Sequence, residues 1–215
     1  MILLFIGPKG SGKDTQAAIL EKNHGFVNIS TGSLIRDEIR NKTELGMKSK
    51  ELYDAGKYVT DELVFAILRK HLEELDTENI ILNGVVRNTE QIGLTRDMLA
   101  EIGKQIDLVV YFDLSDQEAI TRLSNRWTCP VDNTVYHTVF DPPHQEGICD
   151  KCGSKLVQRE DDKPEAVKNR LNEDRTKNAP VIEHYREQNM LKEIDASKSI
   201  DEVSAEIEAI VTEAQ

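Results

Sequence analysis

Three things are scarce in this chain. It has three cysteines, too few for a disulfide framework, and two of them sit as Cys149-Asp-Lys-Cys152, a spacing that suits a metal in a reducing compartment better than a crosslink. Long apolar stretches are missing: Met1–Ile6 and Leu108–Phe112 are far too short to span a bilayer. Met1–Ile6 also lacks the basic flank and cleavage site of a signal peptide, so a cytoplasmic location is expected. Basic residues are outnumbered, 27 Lys and Arg against 39 Asp and Glu, and the net charge of −12 argues against bulk attraction to nucleic acid or an anionic membrane. An anionic ligand must then be met by locally placed Lys and Arg.

What is present is ordinary for a globular chain. Across 215 residues, 39 % are hydrophobic and 31 % charged, enough for one sizeable core with small inserts and unlike a fibrous or disordered chain. Met1–Ile6 reads as a buried strand stopped by Gly7-Pro8, followed by a helix from about Gly12 to Lys22. Asn28–Thr31 reads as a short extended piece before a helix through Leu34 and Ile39. Two more helices are expected up to Leu72, punctuated by Gly46 and Gly56. Ile80–Leu82 and Ile106–Leu114 read as strands, with a helix from Glu90 to Ile102 between them, and Ser115 with Glu118 has the capping-box pattern. Residues 127–162 break this alternation and read as a small β-rich insert. A long helix is expected from Pro164, interrupted or restarted at Pro180, before a last strand ending at Asp195 and a closing helix over Ile200–Ala214. Strands alternating with helices predict an α/β fold, a parallel sheet covered by helices on both faces.

Gly7-Pro-Lys-Gly-Ser-Gly12-Lys13-Asp14-Thr15 lies between a buried strand and a helix. In that setting backbone N–H groups can close around phosphate oxygens and the helix N-terminus adds positive potential. Lys13 is expected to reach the outer phosphates, and the Thr15 hydroxyl to lie near phosphate or Mg2+. The strict motif places Ser or Thr directly after the lysine; here Asp14 intervenes.

Cys129-x2-Asp132-x16-Cys149-x2-Cys152 has the paired-ligand spacing of a structural zinc site. On spacing, Asp132 is preferred to His137 or His144 as the fourth ligand. The alternative is a hydrogen-bonded knuckle with free thiols. A nucleic-acid-binding ribbon is disfavoured because no basic, aromatic-rich stretch surrounds it. His24, His71 and His184 read as surface residues, and Trp127 as packing at the insert boundary.

The offset threonine in Gly12-Lys13-Asp14-Thr15-Gln16 resembles the Gly-Lys-Gly-Thr-Gln of the adenylate kinases, nucleoside monophosphate kinases with a phosphate loop. The likeness continues through Ser30–Arg36, Asp54–Val64, Gly84–Arg87 with Gln91, Tyr136-His137 with Phe140–Pro143, Arg159–Asp162, Arg170, Ala179-Pro180 and Ser197-Lys198, in order along the chain. The resemblance implies a P-loop core over residues 1–29, 60–126 and 163–215, a helical NMP-binding insert over 30–59, and a zinc-binding lid over 127–162 of the long form with three cysteines and one aspartate. It implies reversible, Mg2+-dependent transfer, ATP + AMP giving two ADP, by a cytoplasmic monomer. ATP phosphates would lie in the loop at Gly10, Ser11, Gly12, Lys13, Asp14 and Thr15, with the base near Arg122, Val135, Tyr136 and Lys198. AMP would lie near Thr31, Arg36, Lys57, Tyr58, Val59, Gly84, Val85, Val86, Arg87 and Gln91. Arg126, Arg159 and Arg170 would join Lys13 and Arg87 around the moving phosphoryl group; Arg36, Arg87, Arg159 and Arg170 would also reach AMP.

The departures carry weight as well. The family usually has Gly at Asp14, Asp at Ser33, and Asp-Gly-Phe-Pro-Arg where this chain has Asn83-Gly-Val-Val-Arg87. The two lost carboxylates are expected to hold waters around Mg2+. Asp14 is expected to stand in for one of them, and Val85 and Val86 to reshape the acceptor pocket. A kinase for UMP or CMP, and a weakly active or non-catalytic nucleotide-binding relative, are the alternatives.

Overall fold

A computed structural model describes residues 1–54, 59–158, 162 and 164–214. Gly56, Lys57, Tyr58 and Arg159, and the side chain of Arg170, lie outside the described residues.

Five strands form one parallel sheet: β1 (Ile2–Ile6), β2 (Val27–Ser30), β3 (Ile80–Asn83), β4 (Leu108–Asp113) and β7 (Leu191–Asp195), in the order β2-β3-β1-β4-β7. The apolar run of β1 makes it the middle strand. Its side chains alternate between two cores, as strand geometry requires. Leu3 and Phe5 join the first, with α1 (Lys13–His24), α6 (Asp116–Ser124), the start of α7 (Pro164–Glu187) and α8 (Ile200–Glu213). Ile2, Leu4 and Ile6 join the second, with α4 (Asp61–Glu73), α5 (Thr89–Glu101) and the end of α7. Both faces are thus covered, as the uninterrupted apolar strands predict. The expected α/β P-loop architecture is the one present.

The register aligns Ser30 and Phe5 on either side of Asn83. The chain leaves the sheet there into Gly7, Thr31 and Gly84, so three loops converge at the carboxyl ends of the strands, where open α/β sheets bind ligands. Two further helices, α2 (Thr31–Arg40) and α3 (Glu44–Asp54), stand beyond β2. Glu38 of α2 accepts hydrogen bonds from Thr43 and, at 3.2 Å, from Lys70 of α4, and meets His71 at 3.2 Å. The second small sheet, β5 (Arg126–Thr128) with β6 (Val135–His137), is antiparallel and has its own cluster of Cys129, Tyr136, Cys149 and Leu156, with Trp127 packed against it.

Local readings are corrected in three places. Gly46 does not punctuate a helix: it lies inside α3, where a Cβ would come within 2.1 Å of the Glu38 carbonyl oxygen, so α2 and α3 approach too closely for a side chain. Pro180 does not interrupt α7, which runs on for 24 residues. Proline in a helix costs about 3 kcal/mol, and burial of Val181 and Tyr185 in the second core offsets it. Ser115 caps α6 by accepting from the Glu118 N–H, but the Glu118 carboxylate turns to Arg122 and leaves the box half made. Ser199 and Glu202 form the complete box, at the start of α8.

Candidate active site and metal knuckle

The glycines of the first loop are placed by backbone need. Gly10 and Gly12 have φ of 84° and 88°, which other residues adopt only with strain. Gly12 is the N-cap of α1 and offers no side chain to its free N–H groups, which leaves them for an anion. Lys13 folds back, its Nζ donating to the Gly7 and Pro8 carbonyls at 2.8 Å each and to Ser11 Oγ at 3.2 Å. Burial of this ammonium pushes its pKa down to about 8; Asp14 and Asp174 pull it up, Arg87 and Arg126 push it down. Charges of both signs therefore act on Lys13, carboxylates from α1 and α7 and guanidiniums from the turn after β3 and from the base of the lid.

Two of the unusual residues touch. Asn83 Nδ2, at the end of β3, donates to Asp14 Oδ1 at 2.7 Å. Asp14 and Thr15 are exposed in the first turn of α1.

The second loop builds a polar cleft. Arg87 donates from Nε to the Gly84 carbonyl at 2.9 Å and from Nη2 to Thr31 Oγ1 at 3.3 Å, and Thr31 donates to the same carbonyl. The Gln91 amide accepts from the Arg87 N–H and donates to Asp61, both at 2.7 Å. Those two bonds fix its orientation and leave one donor and one acceptor for a ligand. Arg36 donates to Ser33 Oγ at 3.1 Å, while its Nε is buried with no hydrogen-bond partner among the described residues. A buried guanidinium N–H with no protein partner is suited to an anion's oxygen. Val59 is half-buried. Val85 and Val86, expected to reshape the pocket, are each 1 % exposed and packed in the second core. The strand that leads into them is buried on both faces, and they continue into the same core.

The residues expected near the donor base have partners of their own. Arg122 donates to Glu118 at 3.1 Å, and Lys198 pairs with Glu206 at 3.0 Å. Val135 is exposed, whereas Tyr136 is buried, its hydroxyl accepting from the Asp150 N–H at 2.7 Å. Tyr136 therefore serves the knuckle's own packing. Arg126 binds Asp162 through two N–H groups. Sequence reading gave no role to Lys9, Asp61 or Asp162. The signals were a second cation inside the glycine-rich loop, an acid at a helix start and one carboxylate of the Arg159–Asp162 run.

The four knuckle residues come together. The ligand atoms of Cys129, Asp132, Cys149 and Cys152 all lie within 4.8 Å of one another. Two turns of one design present them. Cys129 N–H bonds the Thr134 carbonyl and Asn133 N–H the Cys129 carbonyl; Cys149 with Ser154, and Gly153 with Cys149, repeat the pattern. The fifth residue of each turn, Asn133 and Gly153, has positive φ. Asp132 thus occupies in its turn the place that Cys152 holds in the other. Burial pushes the Cys129 thiol up to about 11, while hydrogen bonds from the Thr134 N–H and hydroxyl hold the Asp132 carboxyl well below the usual range. Three sulfurs and one oxygen in a closed cluster fit tetrahedral zinc, with no open position for chemistry.

Comparison with known proteins gives one consistent result. The family described as adenylate kinase matches residues 5–190. An adenylate kinase of Methanosarcina barkeri is 42 % identical over 212 residues, covering 98 % of each chain. Adenylate kinases of Archaeoglobus fulgidus and Oceanobacillus iheyensis are 40 % and 39 % identical over 212 residues, covering 98 % of this chain and 98 % and 99 % of theirs. The match starts within β1 and ends just before β7, so it takes in the phosphate loop, the polar cleft and the knuckle without a break: this chain belongs to the adenylate kinase family.

Proposed function

We propose that this nucleoside monophosphate kinase moves the terminal phosphoryl group of ATP to AMP with the following division of labour. Residues 1–29, 60–126 and 163–215 form the core, 30–59 the acceptor insert and 127–162 the lid. The phosphate loop from Gly10 to Thr15 takes the donor phosphates. Arg36 and Arg87 take the AMP phosphate, and Thr31 and Gln91 the adenine edge. Lys13, Arg87 and Arg126, with Arg159 and Arg170, surround the group in transit.

The observation that carries this reading is the phosphate loop itself, with Gly10 and Gly12 at positive φ, an α1 N-terminus without a side-chain cap, and the Lys13 ammonium folded inside the loop. A buried ammonium is costly until a polyanion arrives, and it supplies charge that the equatorial oxygens require in transfer. Little covalent help is needed; the two phosphates must be held in line and water kept out. Mg2+ would supply charge neutralisation on the donor phosphates, and Asp14, Thr15 and Asn83 are the residues that fit its surroundings. Zinc would be held by Cys129, Asp132, Cys149 and Cys152 and would crosslink the lid. Among the described residues no helix is long and apolar enough to cross a membrane. We read the enzyme as a cytoplasmic monomer.

A coupled assay with AMP, CMP, UMP and GMP as acceptors tests the reading. Strong preference for AMP is expected. Preference for CMP or UMP would reassign the acceptor, and absence of transfer with all four would leave a nucleotide-binding relative.

A further inference from the structure

Glu38 carries a charge into the interior, and nothing above gives it a part in transfer. It lies near the end of α2 and is 4 % exposed, yet both carboxylate oxygens are engaged. Oε1 accepts from Lys70 Nζ of α4 at 3.2 Å and meets His71 Nε2 at 3.2 Å; Oε2 accepts from the Thr43 hydroxyl. Thr43 directly precedes α3, and its Oγ1 accepts from the Gly46 N–H at 3.0 Å, as a helix cap does. Three helices therefore meet on one carboxylate. Burial pushes this carboxyl up, but hydrogen bonds from Thr43 and Lys70 and the attraction of Lys70 and His71 outweigh burial and hold it below the usual range. A buried ion pair is weak evidence of stability, since apolar packing of similar volume often serves as well. Its position on α2 points to a different role.

Seven residues separate Glu38 from Thr31, which places the two within about 20° of one line along the helix. They are the buried residues of α2. Thr31 donates to the Gly84 carbonyl at 3.3 Å and accepts from Arg87. The helix is thus held along a single stripe, by the turn after β3 at its start and by α4 near its end. A rod held at two points of one stripe cannot roll. The close approach of Gly46 to the Glu38 carbonyl limits sliding as well. Arg36 stands off this stripe, about 160° round the helix from Glu38. Its buried, unpartnered Nε is therefore aimed by whatever fixes the roll of α2.

We propose that Glu38 is a positioning residue for the acceptor phosphate. By holding α2 on α4 it sets the roll of the helix and so aims the Arg36 guanidinium. Lys70 is the cation that secures Glu38 from the core side. The proposal rests on the AMP-phosphate role read above for Arg36.

Steady-state kinetics of Glu38→Gln, Lys70→Met, Lys70→Arg, Arg36→Met and the double variant Glu38→Gln/Arg36→Met test it, with thermal unfolding alongside. Glu38→Gln keeps the shape and removes the charge. It should raise the KM for AMP about tenfold, the scale for losing one hydrogen bond to a charged group. The KM for ATP and kcat should stay nearly unchanged, because a contact made equally in ground state and transition state acts on KM. In the Arg36→Met background the same change should add little, since no guanidinium is left to aim. Lys70→Met leaves Glu38 its other two partners and lies at a 45 % exposed side chain, which guards against a folding failure. It should raise the KM for AMP several-fold, and Lys70→Arg should restore it. A purely structural Glu38 would lower the melting temperature and kcat with the KM for AMP unchanged, or would raise that KM equally in the Arg36→Met background; either result would overturn the proposal. So would a native KM for AMP in Lys70→Met. A native KM for AMP in Arg36→Met would overturn the reading of Arg36 and this inference together.

Discussion

The Asn83 side-chain amide donates to the Asp14 carboxylate at 2.7 Å, across 69 positions of sequence. Both residues depart from the family pattern, and the contact makes them one departure. The carboxylate expected at the end of β3 is replaced by an amide, and a carboxylate appears instead on the first turn of α1, in reach of the same space. The amide engages one oxygen of Asp14, in a residue that is otherwise exposed.

If the charge has moved in this way, Asp14→Gly should lower the rate and raise the Mg2+ concentration needed for half-maximal activity, although it restores the family residue. Asp14→Gly with Asn83→Asp should recover much of the loss. Binding of Mn2+ with ATP, followed by paramagnetic resonance, gives a readout independent of turnover. A faster Asp14→Gly enzyme with an unchanged metal response would reject the replacement.

Lys13→Met should reduce kcat by at least about a hundredfold, the scale for losing a preorganised charge at the developing transition state. Circular dichroism should report a retained fold. The depressed pKa adds a pH signature. Between about 8 and the unfolded value of 10.5, the unfolded chain holds the Lys13 proton and the folded chain does not, so this group makes stability rise with pH through that window. Phosphates restore the charged form, so ATP binding above pH 8 should take up a proton. Calorimetry in buffers of differing ionisation enthalpy measures it, and Lys13→Met should abolish it.

Gln91 is held by Arg87 on one side and Asp61 on the other, so its amide is aimed before any ligand arrives. Gln91→Leu should raise the KM for AMP by about tenfold or more, since a buried polar edge left unpaired is strongly penalised. Discrimination against CMP and UMP should narrow. Unchanged acceptor preference would remove Gln91 from the adenine site.

Purified protein should hold close to one zinc per chain. Two of the buried members of the lid cluster, Cys129 and Cys149, belong to the proposed ligand set, which leaves Tyr136, Leu156 and Trp127 as its apolar content. So small a core depends on its metal for folding. Cys149→Ser or Asp132→Ala should lower the melting temperature of the lid while AMP binding stays largely intact. Zinc must displace the Cys129 proton, which burial of the thiol favours keeping, so zinc affinity should fall as pH falls. Elemental analysis and a pH series of chelator competition check both.

What the sequence determined by itself was local. The apolar run of β1, the glycines before Lys13 and the matched turns at Cys129 and Cys149 each lie within a few residues, where steric limits and spacing decide the outcome. Tertiary structure decided which distant groups share a space. Val85 and Val86 follow a buried strand and turn into the core. Pro180 is carried through α7 by the packing of Val181 and Tyr185. The pairing of Asn83 with Asp14, and of Arg126 and Lys9 with Asp162, depends on where strand ends and lid ends meet. Residue spacing does not encode that meeting: a charged side chain takes whichever partner burial brings within reach, and the sheet order sets which partner that is.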